Sequence, residues 1–357
     1  MHRHIPAGAP PGMSPTCCRP SAASPSSRRR RLCLGLTCAF MLSGALVAAG
    51  APSHAPTRRA GGFPVRVSAY VANSGGEIAS VYDTRLEHKF GAVQVGYGPI
   101  GVGASPDGER VYVANGRSDT VSCVNTGPRL VTATVRVGRR PFAAVPSRNG
   151  RRVLVANFGS DTVTVLSAPD CRVMATVPVG PLPHSITTIP DGRAYVTDNG
   201  AGCVTVLDPS SRAIRRIRVG DFPSGISSPP SGRLVYVSNT GSGTISVIDT
   251  RNDTVVGRLP GGRAPLGSAV SPDGRLLYVA DSARDCLLII DIGGHRIIGH
   301  VHVGVQPQGV AVTPDGRRVW VTNEQSDTVS VIDPYARRVR ATLPTGHEPE
   351  GIAITPR

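Results

Sequence analysis

An all-β chain of repeated four-stranded sheets, closed into a ring, is predicted by three observations. The stretch Thr313–Asp333 (TPDGRRVWVTNEQSDTVSVID) recurs in variant form along the chain, with close copies from Ser105 (SPDGERVYVANGRSDTVSCVN) and Ser271 (SPDGRLLYVADSARDCLLIID). Its turn glycine returns at Gly108, Gly150, Gly192, Gly232, Gly274 and Gly316, in steps of 42, 42, 40, 42 and 42 residues. After residue 60 no stretch sustains a helical period, whereas short alternating β-branched runs abound.

Each copy resolves into four strands. In the last complete copy, Gly309–Thr313 (GVAVT) is apolar and runs into a Pro-Asp-Gly turn, whose proline presets φ and whose glycine accepts positive φ. Val319–Asn323 (VWVTN) alternates as a half-buried strand does, and Asn323–Asp327 is a polar loop. Thr328–Asp333 (TVSVID) alternates again, and Val339–Leu343 (VRATL) closes the unit. A repeated four-stranded unit of this length is the pattern of a β-propeller blade. One blade cannot bury its faces alone, so neighbours stack and the ring closes.

The ends predict how it closes. A first copy, starting at Val67, has only Val67–Ala72, Ala79–Tyr82 and about His88–Val95, and lacks an innermost strand. Gly351–Arg357 (GIAITPR) is a lone innermost strand that stops where the Pro-Asp-Gly turn would begin. The C-terminal strand is therefore expected to complete the N-terminal blade. Entries to an innermost strand follow Pro99, Pro141, Pro183, Pro223, Pro265, Pro307 and Pro349, which predicts a seven-bladed β-propeller of four-stranded antiparallel blades.

The YVAN-loop-SDTVSVID pattern, followed by VGxxPxG, resembles the YVTN-type (YncE-like) β-propeller repeat family from about Val67 to Arg357. The resemblance implies the seven-bladed fold and an exported or cell-surface protein. It reaches more distantly to the haem d1 domain of nitrite reductase, the subunits of quinoprotein amine dehydrogenases and streptogramin lyase, so a cofactor-carrying or lyase-like enzyme is the alternative it implies.

Ahead of the repeats, residues 1–31 hold no acid and end in Arg28–Arg31, followed by the uncharged run Leu32–Ala51 (LCLGLTCAFMLSGALVAAGA). Basic, then apolar, then small residues is a secretory layout, with cleavage expected after Ala49 or Ala55. The run is also long enough for an uncleaved anchor. The expected organisation is a leader over 1–55, a linker over 56–65 and the propeller over 66–357.

The formal charge is +15, but the six leader arginines leave 33 basic against 24 acidic residues, and Lys89 is the only lysine. In a propeller the turns between first and second strands and between third and fourth strands share one face. Those turns carry Arg110, Arg152, Arg193, Arg317, Arg318 and Arg337 among others, so a basic face is expected. It would suit an anionic polymer or serve as a solvated rim; Arg317, Arg318 and Arg337 are the candidate contacts. Aromatic residues make up 4%, too few for a single-strand stacking platform, and there is no specific nucleic-acid motif.

Of the eight cysteines, Cys17, Cys18, Cys33 and Cys38 lie in the leader. Cys123, Cys171, Cys203 and Cys286 are far apart without CxxC spacing. Free, half-buried thiols are expected, with a Cys123–Cys171 bridge between neighbouring blades as the alternative.

The opposite face gathers the linking loops, framed as Gly-x-x-Pro-x-Gly, around the mouth of the central channel, and its variable positions are where individuality can reside. After the proline stand Ile100, Phe142, His184, Ser224, Leu266, Gln308 and Glu350. The frame breaks at blades 3 and 4, where Ala143 and Ser185 replace the glycine. There Arg139, Arg140, Phe142 and His184, with Phe158 in a nearby loop, form either an apolar anchor beside positive charge or a plug of inward-folded rings. On the other side, Gln308, His347 and Glu350, with Glu348, are groups of the kind that hold a metal or move a proton, and ligand binding is what is assigned to them. No metal site is expected. His300 and His302 share one face of an outer strand, without a third ligand. Asp119, Asp161, Asp285 and Asp327 recur too regularly for catalysis and are read as turn acceptors. Asn73, Asn115, Asn157, Asn239 and Asn323 are read the same way.

No CxxCH, GxSxG, HExxH or P-loop is present, and no catalytic residue or resident cofactor is assigned. Trp320, the only tryptophan, sits inside a strand. The expectation is a monomeric, exported binding or scaffolding module of the cell envelope that takes a protein or small ligand at the channel mouth.

Overall fold

The computed structural model describes residues 67–356; the expected leader and linker lie outside them. Within them the chain forms seven four-stranded antiparallel sheets, and the only helical elements are the 3₁₀ turns Asn199–Ala201 and Glu324–Ser326. Blade 1 is built from both ends. Its inner strand, Pro349–Ile354, pairs with Ser68–Asn73, placing Ala69 opposite Ile354 and Val71 opposite Ile352. Ile78–Asp83 and His88–Gln94 complete it. Blades 2 to 7 begin with the inner strands Pro99–Ala104, Pro141–Pro146, Pro183–Thr188, Pro223–Ser227, Pro265–Val270 and Pro307–Val312. The closure is fastened further by Thr355, whose Oγ1 accepts from the Ser68 amide at 2.9 Å.

Apolar side chains of the middle strands face both ways and stay buried, as in Val319–Asn323, whereas outer strands such as Leu130–Arg136 are half-exposed. Seven hydrophobic clusters result, one between each pair of neighbouring blades. The last of them packs Ala69, Val71 and Tyr82 of blade 1 against Trp320, Val329 and Val331 of blade 7. Trp320 thus fills the ring-closing interface, 5.7 Å from the Tyr82 ring.

The repeat motif is explained by one recurring side-chain bond. Asn115, Asn157, Asn239 and Asn323 end second strands, and each Nδ2 donates to two hydroxyls on the third strand. In blade 7 the acceptors are Thr328 and Ser330, both at 3.0 Å. These asparagines lock the hairpin as donors, which adds to their reading as acceptors; Asn239 and Asn73 also accept, through Oδ1, from the amides of Gly220 and Gly346, each at 3.0 Å. The aspartates are acceptors, but across loops. The Oδ1 atoms of Asp119, Asp161, Asp285 and Asp327 accept from the amides of Arg140, Leu182, Gln306 and Glu348, each 21 residues on in the linking loop.

The two expectations for the thiols divide between the two pairs, and free thiols at Cys123 and Cys171 are corrected. Cys123, on the third strand of blade 2, is disulfide-bonded to Cys171, in the third-to-fourth turn of blade 3, while Cys203 and Cys286 are free. The pairing depends on how adjacent blades stack, which spacing along the chain does not encode.

Candidate functional site at the channel mouth

The Pro-x-Gly frame sets its variable residue at the channel by a bulge, except in blade 5, where Ser224 is buried away from the cavity lining. In blade 7, Pro307 opposes Asn323 and Val310 opposes Val321, leaving Gln308 and Gly309 together across from Thr322. Similar register shifts follow Pro99, Pro141, Pro183, Pro223 and Pro265, and span Glu350 and Gly351 in blade 1. A bulge turns the extra residue out of the ladder. The glycine after it is required by the next blade: a Cβ on Gly225 would overlap the Leu266 carbonyl oxygen, and one on Gly267 the Gln308 carbonyl oxygen. All seven inner strands thereby line one axial cavity of about 190 Å³, walled by Ile100, Phe142, His184, Leu266, Gln308 and Glu350 among others.

One side of the mouth is aromatic and cationic. Phe142 and Phe158 stack at 4.5 Å with planes 20° apart, and the His184 ring lies 4.9 Å from Phe142 and 6.3 Å from Phe158. The Arg140 guanidinium caps both phenylalanines at 5.3 and 5.2 Å, a cation–π arrangement. The two alternatives for these rings merge, since Phe142 lines the channel and Phe158 backs it while Arg140 stays exposed. Nδ1 of His184 is sealed from solvent and makes no well-formed hydrogen bond. Burial pushes this imidazole down to about 4, overriding the Ser224 main chain, which favours the charged ring.

The other side is acidic. Burial, followed by the nearby Glu324 and Glu348, raises the Glu350 carboxyl to about 7, against a Ser74 hydrogen bond and the more distant Arg140 charge that favour ionisation. Gln308 donates to the Glu324 carboxylate, and the Glu350 carbonyl accepts from Thr322 Oγ1 at 2.5 Å.

The structure therefore brings Arg140, Phe142, Phe158 and His184 together on one side, and Gln308 and Glu350 on the other. Arg139 is exposed on the same loop as Arg140. His347 lies apart, outside the cavity lining. Its Nδ1 is 3.1 Å from Asp327 Oδ2, which raises its affinity for a proton. Sequence reasoning missed Ser74, Glu324 and Thr322 as neighbours of Glu350, because they come from other strands and loops than the one bearing it.

The basic face is less free than its arginine count suggests. Arginines that open second strands reach across to the third-to-fourth turn of the next blade. Arg110 donates to the Pro169 carbonyl at 2.7 Å, Arg152 to the Pro209 carbonyl, and Arg193 to the Thr250 carbonyl at 2.5 Å. Arg193 also pairs with Asp253 at 2.8 Å. Arg318 pairs with Glu87 at 2.7 Å across the ring closure. Of the three residues expected to meet a polyanion, Arg317 and Arg337 are exposed and Arg318 serves as an inter-blade staple.

A family model described as the cytochrome D1 heme domain matches residues 230–351. No curated protein matches the chain. Among solved structures, the hydrazine synthase of Kuenenia stuttgartiensis aligns at 21% identity and a TM-score of 0.66, covering 72% of this chain and 90% of that one. A functionally unknown protein from Desulfotomaculum acetoxidans aligns at 15% identity and a TM-score of 0.73, covering 81% and 98%. The dihydro-heme d1 dehydrogenase NirN, in complex with DHE, aligns at 20% identity and a TM-score of 0.60, covering 81% and 66%. At these identities the likeness is one of fold.

Proposed function

We propose that the chain is an exported binding module of the bacterial cell envelope whose partner docks on the channel-mouth face. Fold does not fix function, so the reading is carried by one observation: the Arg140-capped stack of Phe142 and Phe158 against His184, set at the opening of an axial cavity. Stacked aromatics beside an arginine are the side chains that dominate binding energy at interfaces. Export is supported by the basic-then-apolar leader and by the Cys123–Cys171 disulfide, a bond of oxidising compartments.

The partial cytochrome D1 match and the NirN likeness raise a cofactor-carrying alternative. The residues present do not fit a tetrapyrrole inside the channel. The cavity of about 190 Å³ falls below the roughly 300–1,000 Å³ of drug-sized ligand sites. His184, the histidine of the cavity wall, is packed against Phe142 and backed by Phe158.

The test is crosslinking and mass spectrometry on the envelope of the native host, comparing wild type with a Phe142→Ala/Arg140→Ala double variant and with a basic-face Arg317→Glu/Arg337→Glu variant. A partner held by wild type and the basic-face variant but lost by the mouth variant supports the reading; one indifferent to the mouth substitutions refutes it. N-terminal sequencing of the envelope form should begin after Ala49 or Ala55. Polyanion binding is the second reading, favoured by the exposed Arg317 and Arg337. It requires salt-dependent retention on heparin that the basic-face variant loses.

A further inference from the structure

We infer that the channel mouth is a socket for a basic side chain, lysine or arginine, presented by a protein partner whose apolar surface rests on the surrounding rim. This deepens the mouth-docking reading and rests on it. Three independent features carry it.

The first is shape. The cavity has space for one extended side chain and too little for a drug-sized molecule. The second is chemistry along its depth. Ile100, Leu266, Val310 and Ile352 give it an apolar wall, and Glu350 places a carboxyl in that wall. The Ser74 hydroxyl favours ionisation of that carboxyl and donates to Glu348 Oε2 at 3.5 Å. Glu324 and Glu348 add negative charge from the 3₁₀ turn and the linking loop, Glu348 being paired with Arg117 at 3.8 Å and Glu324 accepting from Gln308. Arg140 opposes them weakly from across the mouth, where it is engaged with the two phenylalanines. Among the described residues the Glu350 carboxyl forms no ion pair of its own, whereas Glu348 has Arg117, so a cation entering the cavity would give Glu350 its partner. Lysine and arginine combine an apolar stem with a cationic tip, matching the wall and the carboxyl together.

The third feature is the rim. Tyr97, Leu182, Phe222 and Val305 stand 46%, 38%, 61% and 46% exposed, each on a different linking loop of the mouth face. These four side chains stand on loops around one opening, where a protein seated on the mouth would cover them together. A free small cation would use the cavity and leave that rim wet, which favours a protein as the bearer.

Two measurements test the inference. Calorimetric titration with butylguanidinium should show binding that 1-pentanol does not reproduce. It should weaken at least about tenfold in Glu350→Gln and strengthen about tenfold from pH 6 to pH 8 as Glu350 ionises. His347 titrates on the same face but outside the cavity, so a His347→Gln control should keep that pH profile. Failure of butylguanidinium to bind, equal binding of 1-pentanol, or an unchanged affinity in Glu350→Gln overturns the inference. Selection of a displayed peptide library should enrich lysine or arginine flanked by apolar residues. Phe222→Ser should weaken those peptides while leaving butylguanidinium binding intact. If the enriched peptides depend on Phe142 but carry no basic residue, the socket is wrong and mouth docking stands. If none depends on Phe142 or Glu350, both fail.

Discussion

Glu350 and His184 face the same cavity with opposite titration habits, and the difference is measurable. In the unfolded chain Glu350 ionises near 4.5, while in the native protein it holds its proton up to about 7. Between those values the native state binds the extra proton, so it loses stability as pH rises. Glu350→Gln removes that loss, and its stability relative to wild type should climb from pH 4.5 to 7, by up to about 1.4 kcal/mol per pH unit. His184 is protonated near 6.5 when unfolded and only near 4 when folded. There the unfolded state binds the proton, and the native state gains stability as pH rises from 4 to 6.5. His184→Gln should therefore lose ground to wild type over the same span. Urea unfolding at pH 5 and pH 6.5 checks both signs. Glycine chemistry belongs to this scale too. Gly225→Ala forces a methyl into the Leu266 carbonyl and should cost about 1–3 kcal/mol. Gly257→Ala, which meets nothing within 4 Å, should stay within about 0.5 kcal/mol of wild type in the same assay.

Between elements, each blade is tied to the next by bonds the repeat makes legible only in part. The regular return of asparagine and aspartate showed that those positions were structural, but not who their partners were. An asparagine that reaches the third strand five and seven residues on is a local matter and can be derived once the hairpin is drawn. An aspartate that holds an amide 21 residues away depends on where the linking loop returns. Arg193 reaching Thr250 and Asp253 in the next blade depends on stacking, as does the Cys123–Cys171 bridge. Cys123→Ser/Cys171→Ser should lower unfolding free energy by about 2–4 kcal/mol. Treating wild type with reductant should approach the double variant's midpoint in guanidinium, and the double variant should be indifferent to reductant.

At the scale of the whole molecule, stability and site share one condition, closure of the ring. Removing Pro349–Arg357 strips blade 1 of its inner strand, bares one side of the blade 1 to blade 7 interface and deletes Glu350. Such a truncation should lower the melting temperature and enlarge the radius of gyration in small-angle scattering, while deleting only Arg357 should do neither. The blade count, the strand pattern and the mutual completion of the two ends were all determined by the sequence itself. Period, alternation and turn chemistry are local, and a unit that cannot bury its own faces leaves closure as the remaining solution. The placement of Phe142, His184, Gln308 and Glu350 on the mouth face was readable as well, because the proline frame repeats. Only the tertiary structure decided which of these residues meet, that Phe158 stacks on Phe142, that burial raises the Glu350 carboxyl, and that Arg318 is held by Glu87 across the junction of blades 7 and 1. Those outcomes depend on distances between blades and on the water excluded from the axis, quantities that arise when seven units pack together and that no single unit carries.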